Sequence, residues 1–205
     1  MLVVPSKLKK KAFIIPTVVV TKNNEARLDG AAVFDYKNQL AGFLNSDETS
    51  GLNYITGKAK GGYISASIDH DQFAFDLQRA KSSIKADVTD KNHIHFTVSI
   101  DASGIVAESL QTIDFTDPAQ MAKVEKAVGK QIKRLTGEAI KKLQDDLNTD
   151  ALGLGDYLQR NHYDLWQSIK SNWDRGENYF AKSTITVKTH VNVKSSGTVI
   201  ESKFK

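Results

Sequence analysis

Cysteine is absent from the 205 residues. That removes disulfides, thiolate metal sites and thiol nucleophiles, and it leaves this chain no residue for a lipid thioether. Long apolar runs are missing too. The longest, AFIIPTVVV at 12–20, contains Pro16, whereas a membrane-spanning helix needs about 20 apolar residues. The opening MLVVPSKLKKK puts its basic cluster after the apolar residues and has no small-residue cleavage pattern, so it does not read as a secretion signal.

A large charge excess of one sign is also lacking. The net charge of +4 comes from 28 Lys and Arg against 24 Asp and Glu, and Lys7, Lys9, Lys10 and Lys11 account for all of it. A nucleic-acid binder concentrates basic charge on a folded face. Here the excess lies in residues 1–11, read as a linker or an added basic segment, and no nucleic-acid partner is expected. KLKKK could touch anionic lipid at about 1 kcal/mol per basic residue; a flexible linker is the simpler account.

What is present supports a packed domain. Apolar residues make up 40% and charged residues 25%, ordinary values for a soluble core and surface. The expectation is one domain over 12–205.

β-Branched residues at 12–21 predict a strand, at an edge because Pro16 cannot donate to a ladder. A turn at 22–25 leads to a strand at 28–35, a tight turn at 36–39 and a short strand at 40–44. NSDETSGLNYITGKAKGG (45–62) then reads as a helix. Ser46 is the expected N-cap, Asp47 and Glu48 favour the positive end, Leu52 and Ile55 form a buried stripe, and Gly57 stops it. A strand at 63–68 follows.

Two long strands come next. Phe73, Phe75 and Leu77 share one parity while Ile84, Ala86 and Val88 share the other, which predicts a bulge between Gln78 and Ser83. Ile94, Phe96, Val98 and Ile100 alternate in the returning strand, and DASG (101–104) is expected to break it before 105–110. Asp117 or Thr116 caps a long helix with Pro118 at its first position, running to about residue 148. Tyr157, Tyr163, Trp166, Ile169 and Trp173 fall on one or two short helices. A last strand puts Ile185, Val187, Val191 and Val193 on one face. The predicted fold class is α+β: a largely antiparallel sheet packed against a long helix, with a short-helix C-terminal part and a final strand.

Candidate chemistry is thin. Ser50 sits in the first turns of its helix with no G-x-S-x-G around it, which favours a surface residue over a nucleophile. His93 and His95 should share the polar face of a strand, and two imidazoles leave most of a zinc shell unfilled. DHD at 69–71 suits a turn. DDLNTD at 145–150 lacks calcium-loop spacing. GLGD at 153–156 lacks the lysine of a phosphate loop. Tyr163, Trp166 and Trp173 read as core. No catalytic, cofactor-binding or metal-binding residue is assigned, and no cofactor is expected.

Two segments carry a family resemblance. In DGAAVFDYKNQLAGFLNSDETSGLNYITGKAKGG (29–62), Gly30, Val33, Phe34, Leu40, Gly42, Leu44, Glu48, Thr49, Gly51, Leu52 and Gly57 fit an apolar strand, L-x-G-x-L, and an E-T-x-G-L helix. In LNTDALGLGDYLQRNHYDLWQSIKSNWD (147–174), the matching residues are Asp150, Gly153, Gly155, Trp166 and Trp173, followed by an alternating strand and Gly197. The chain resembles the C-terminal domain of the C subunit of spore germinant receptors, the Ger(x)C lipoprotein family. Ser50 departs from that pattern, which usually has arginine there. The resemblance implies the third domain of a lipoprotein anchored at the outer face of the spore inner membrane. Its implied partners are the integral-membrane receptor A and B subunits, and its role would be non-catalytic, in receptor assembly or signalling through protein contacts. Binding of the germinant itself is the alternative, and a hydrolase using His93, His95 or Asp69 a more distant one.

Overall fold

The computed structural model describes residues 11–69, 71–109, 114 and 117–194. Lys7, Lys9 and Lys10, His70, Thr116 and Gly197 lie outside them. The predicted α+β class holds, with the strands divided over two sheets. β1 (Phe13–Val20), β2 (Ala26–Phe34) and β3 (Leu40–Leu44) make an antiparallel sheet in that order. β4 (Gly62–Ile68), β5 (Asp71–Asp87), β6 (His95–Ser109) and β7 (Thr184–Val193) make the second.

Between the sheets runs α1 (Ser46–Ile55). Its N-cap is Asn45, not Ser46. The Asn45 side chain accepts from the Glu48 N–H at 2.8 Å, and Glu48 returns a bond to the Asn45 N–H, a reciprocal cap that satisfies two free amides. Ser46 instead donates its hydroxyl to Asp29. The left-handed Gly57, at φ +69°, lies just beyond the helix end, as its lack of a Cβ allows.

The bulge falls at Gln78, where Leu77 pairs with Gly104 but Arg79 pairs with Ser103. DASG does not break β6. Ile94, Phe96, Val98, Ile100, Ala102 and Gly104 are buried in an unbroken alternation. The small residues there make room: a Cβ on Gly104 would stand 2.8 Å from the Phe75 ring and 2.0 Å from the Asp76 carbonyl oxygen. A pattern that looks like a loss of apolar character is a seat for one large ring.

Chain leaving β6 enters α2 (Pro118–Lys141), capped by Asp117 accepting from the Ala119 N–H at 2.8 Å. A π-helical turn, Lys142–Asp146, prolongs it. Val124, Val128, Ile132, Leu135 and Ala139 are buried, and α2 packs against β7, β4 and α1. Two glycines allow this closeness. A Cβ on Gly129 would press on Thr189 of β7, and one on Gly51 would lie 2.0 Å from the Leu135 carbonyl oxygen. The glycine of E-T-x-G-L is therefore where α1 crosses α2. Arg134 adds a tie at the surface, meeting Asp47 at 2.8 Å and Glu138 at 2.6 Å.

The C-terminal part folds as α3 (Leu154–Asn161), α4 (Tyr163–Ile169) with a 3-10 turn Lys170–Asn172, and the single-turn α5 (Tyr179–Lys182). It delivers β7 parallel to β6, with His95 opposite Thr184 and Gly104 opposite Val193. A parallel return requires a long crossover, which α2 through α5 provide.

Candidate functional site

The residues singled out for chemistry do not converge. Ser50 is half-buried and donates to the Ser46 carbonyl at 2.8 Å, one turn back along its own helix. His93 is not on the strand beside His95. It sits in the preceding turn, its ring 2.8 Å from Asp90, because Asp90 organises that turn by accepting from the Asn92 N–H. The His93 ring beside it holds the Asp90 carboxyl below the usual carboxylate range, helped by that N–H. His95 opens β6 and meets the Thr186 hydroxyl at 3.0 Å. Asp69 takes a left-handed turn conformation and pairs with Lys123 at 3.6 Å. Among the described residues, no three His, Asp or Glu side chains gather at metal-binding distance.

A polar centre does form where the sequence reading left only a turn. Asp150 is 8% exposed. One of its oxygens accepts from the N–H groups of Gly153 at 2.9 Å and Leu154 at 3.1 Å. The other accepts from Gly155 at 2.7 Å and from the indole N–H of Trp173 at 2.7 Å. Burial pushes the Asp150 carboxyl up, while Gly155, Trp173 and Leu154 pull it down. All four partners are donors, so the carboxylate fills them and a proton would displace one. The G-x-G turn is thus an anion cradle at a helix start, and its anion is the chain's own Asp150.

The glycines are sterically required. Gly153 has φ +79°. A Cβ on Gly155 would stand 2.8 Å from the Trp173 nitrogen and 2.9 Å from the Trp166 ring. Trp173 is 3% exposed and packs edge-on to Phe96 and Trp166 at centroid distances of 6.2 and 6.0 Å. The three aromatics read as core have different fates: Trp173 is core, Trp166 is half-buried, and Tyr163 is 58% exposed.

Beside this centre opens a cleft of about 1160 Å³. Its walls are the start of β1, the Tyr36 turn, the end of α1, β5 near Ser82 and Ile84, and the segment from Asp150 to Arg175. Several of the charged groups around it are engaged. Lys11 meets Asp156 at 2.7 Å. The Arg175 guanidinium stacks 3.9 Å over the Tyr36 ring and donates to the Ser171 and Lys170 carbonyls. Burial pushes the half-buried Asp174 carboxyl up; its own N–H and Arg175 act against that, and Asp35 adds to it. Sequence reasoning missed this cleft because its walls come from five separated segments. The one local signal was an aspartate three residues before G-x-G, with a tryptophan downstream.

Comparison with known proteins places the chain in a family. The family described as spore germination B3/GerAC-like, C-terminal, matches residues 29–197. Spore germination protein YndF of Bacillus subtilis (strain 168) is 32% identical over 92% of this chain and 46% of its own length. Spore germination protein B3 of the same organism is 27% identical over 76% of this chain and 42% of its own length. The chain therefore spans about half the length of the curated relatives it matches. The crystal structure of the GerBC protein superposes with a TM-score of 0.81 over 90% of this chain and 57% of that one, at 24% identity, a likeness of fold. No helix among the described residues is long and apolar enough to cross a membrane.

Proposed function

This chain belongs to the spore germination B3/GerAC-like family as its C-terminal domain, and from that premise we propose that it is a non-catalytic domain of a spore germinant receptor C subunit, acting through protein contacts. Membership of the family carries a germination-related role. The finer reading is that residues 12–205 form one α+β domain, the third of the subunit. It supports receptor assembly or germination signalling alongside integral-membrane A and B subunits. The subunit works at the outer face of the spore inner membrane, held there by a lipid anchor outside this chain.

The observation that carries the non-catalytic reading is the use of Asp150. The most buried carboxylate beside the cleft has all its contacts taken by three backbone N–H groups and one indole N–H. A group held that way shapes the cleft wall and offers a substrate neither a proton nor a free lone pair. The test is crosslinking in spore membranes with this domain tagged in its full-length subunit. Recovery of two multi-pass membrane subunits is expected; recovery of neither overturns the reading.

The cleft itself favours a second reading, in which the domain binds the germinant. Its volume suits a small polar ligand. Equilibrium dialysis and thermal shift against amino acids and sugars test it, since ligand binding raises Tm by mass action. No shift at millimolar ligand removes this second reading.

A further inference from the structure

We propose that the outer face of the β1–β2–β3 sheet is a docking surface for the N-terminal half that the longer members of the family carry. Directly opposed residues of antiparallel strands share a face. On the inner face, Ile14, Val33 and Gly42 form one row and Pro16, Ala31 and Leu44 the next; Val33 and Ala31 are fully buried there. The opposite face carries the row Ile15, Ala32, Phe43 and the row Phe13, Phe34, Leu40. This second face is apolar too. Ile15, Leu40 and Phe43 are 44%, 51% and 58% exposed.

The extra residue at the Gly30 irregularity of the β1–β2 ribbon lies in β2, so β1 keeps its alternation: Val19, 38% exposed, continues the face of Ile15, while Val18 and Val20 stand on the side of Ile14 and Pro16. Of the nine large apolar residues exposed among those described, seven belong to this small sheet, and Ile15, Val19, Leu40 and Phe43 share this face. An antiparallel sheet with one solvated face normally alternates apolar and polar residues, and an apolar patch concentrated on one element marks a contact surface.

The chemistry around the patch selects the occupant. Lys22, Glu25, Arg27 and Asp29 flank the ribbon with balanced charge, and Arg27 already pairs with Asp29 at 3.3 Å. An anionic lipid surface calls for an excess of basic charge, which these four residues of the ribbon do not provide. Pro16 removes a donor from the β1 edge, blunting edge pairing with a second copy. The matched relatives are about twice as long as the part matched here, and the family description places that part at their C-terminal end. In those proteins the remaining chain arrives through the segment corresponding to β1, beside this face. The docking is independent of any contact with receptor subunits.

The experiment mixes the 205-residue chain with the N-terminal half of spore germination protein YndF and follows binding by calorimetry. Hydrogen exchange of β1, β2 and β3 provides a second readout. Saturable binding with new protection of these strands is expected. L40K/F43K, whose sites on this face lie clear of the core, should weaken binding by at least about tenfold. Tyr63→Lys, at a 73%-exposed site on the other sheet, should leave it unchanged. Absence of binding up to about 0.5 mM, or equal binding by the double variant, overturns the proposal. So does self-association of the chain abolished by L40K/F43K, or co-sedimentation with phosphatidylglycerol vesicles abolished by it, because another occupant then covers the face.

Discussion

On the four-stranded sheet, the face turned away from the core carries the row Lys81, Asp101, His190 and the row Arg79, Ser103, Asn192. On the three-stranded sheet, the equivalent face carries Ile15, Val19, Leu40 and Phe43. Both sheets bury one face against helices. Only the larger one finishes its other face with groups that water can solvate. The larger sheet, with α2 and the Asp150 centre, is internally complete, whereas the smaller one is apolar on both sides. The same strand period thus yields a closed unit in one place and a surface in want of cover in another.

Breaking the closed side should produce the largest effects. Asp150→Ala leaves buried N–H donors of Gly153, Leu154, Gly155 and Trp173 without their acceptor. At about 1–3 kcal/mol for each unsatisfied group, a loss of at least about 4 kcal/mol is expected in urea denaturation. A loss under about 1 kcal/mol would mean that water replaces the carboxylate and that the centre is not closed.

Gly51→Ala attacks the joint between the two regions. Its Cβ would meet the Leu135 carbonyl oxygen, forcing α1 off α2 at a cost of about 1–3 kcal/mol. Gly137 on the same α2 helix makes the matching control, because a Cβ there meets nothing within 4 Å. Gly137→Ala should stabilise by about 0.4–1 kcal/mol, so the two thermal melts should move in opposite directions.

Charging the uncovered side should cost the isolated chain almost nothing. L40K/F43K is expected to change stability by no more than about 0.5 kcal/mol, measured by the same urea titration. A large loss would show that the face is already covered from within the chain.

The smallest effect concerns Tyr54, on the helix between the sheets. Burial raises its phenol from 10.0 to about 12. A group whose folded pKa lies above its unfolded value contributes stability below the unfolded pKa, and that contribution is lost as pH rises toward the folded one. The window here is pH 10 to about 12. Thermal melts across that window should fall less steeply for Tyr54→Phe than for the unaltered chain; identical slopes would mean the phenol is solvated.

Much of this was legible in order. Asp117–Pro118 announced α2, and the parity change between Leu77 and Ile84 announced the bulge found at Gln78. The two misread details share a cause. Ser46 and DASG were judged by residue type, but Asn45 wins the cap because Glu48 can answer it, and DASG stays in β6 because Phe75 needs the space above Gly104. The paired histidines failed for a related reason: Asp90 holds a turn that extends through His93. A family pattern located Asp150, Gly153, Gly155 and Trp173, while nothing local said that three of them would converge on the fourth.

The amino-acid sequence by itself determined the elements: where strands alternate, where helices start, and which side of each is apolar. Those features follow from interactions within a few residues, namely side-chain period, caps and the φ freedom of glycine. Tertiary structure alone decided that the strands divide into two sheets, that β7 runs parallel to β6, that Asp150 fills its own cradle, and that one apolar face is left bare. Each of these depends on partners up to a hundred residues apart, and burial is a property of what packs against a residue rather than of the residue.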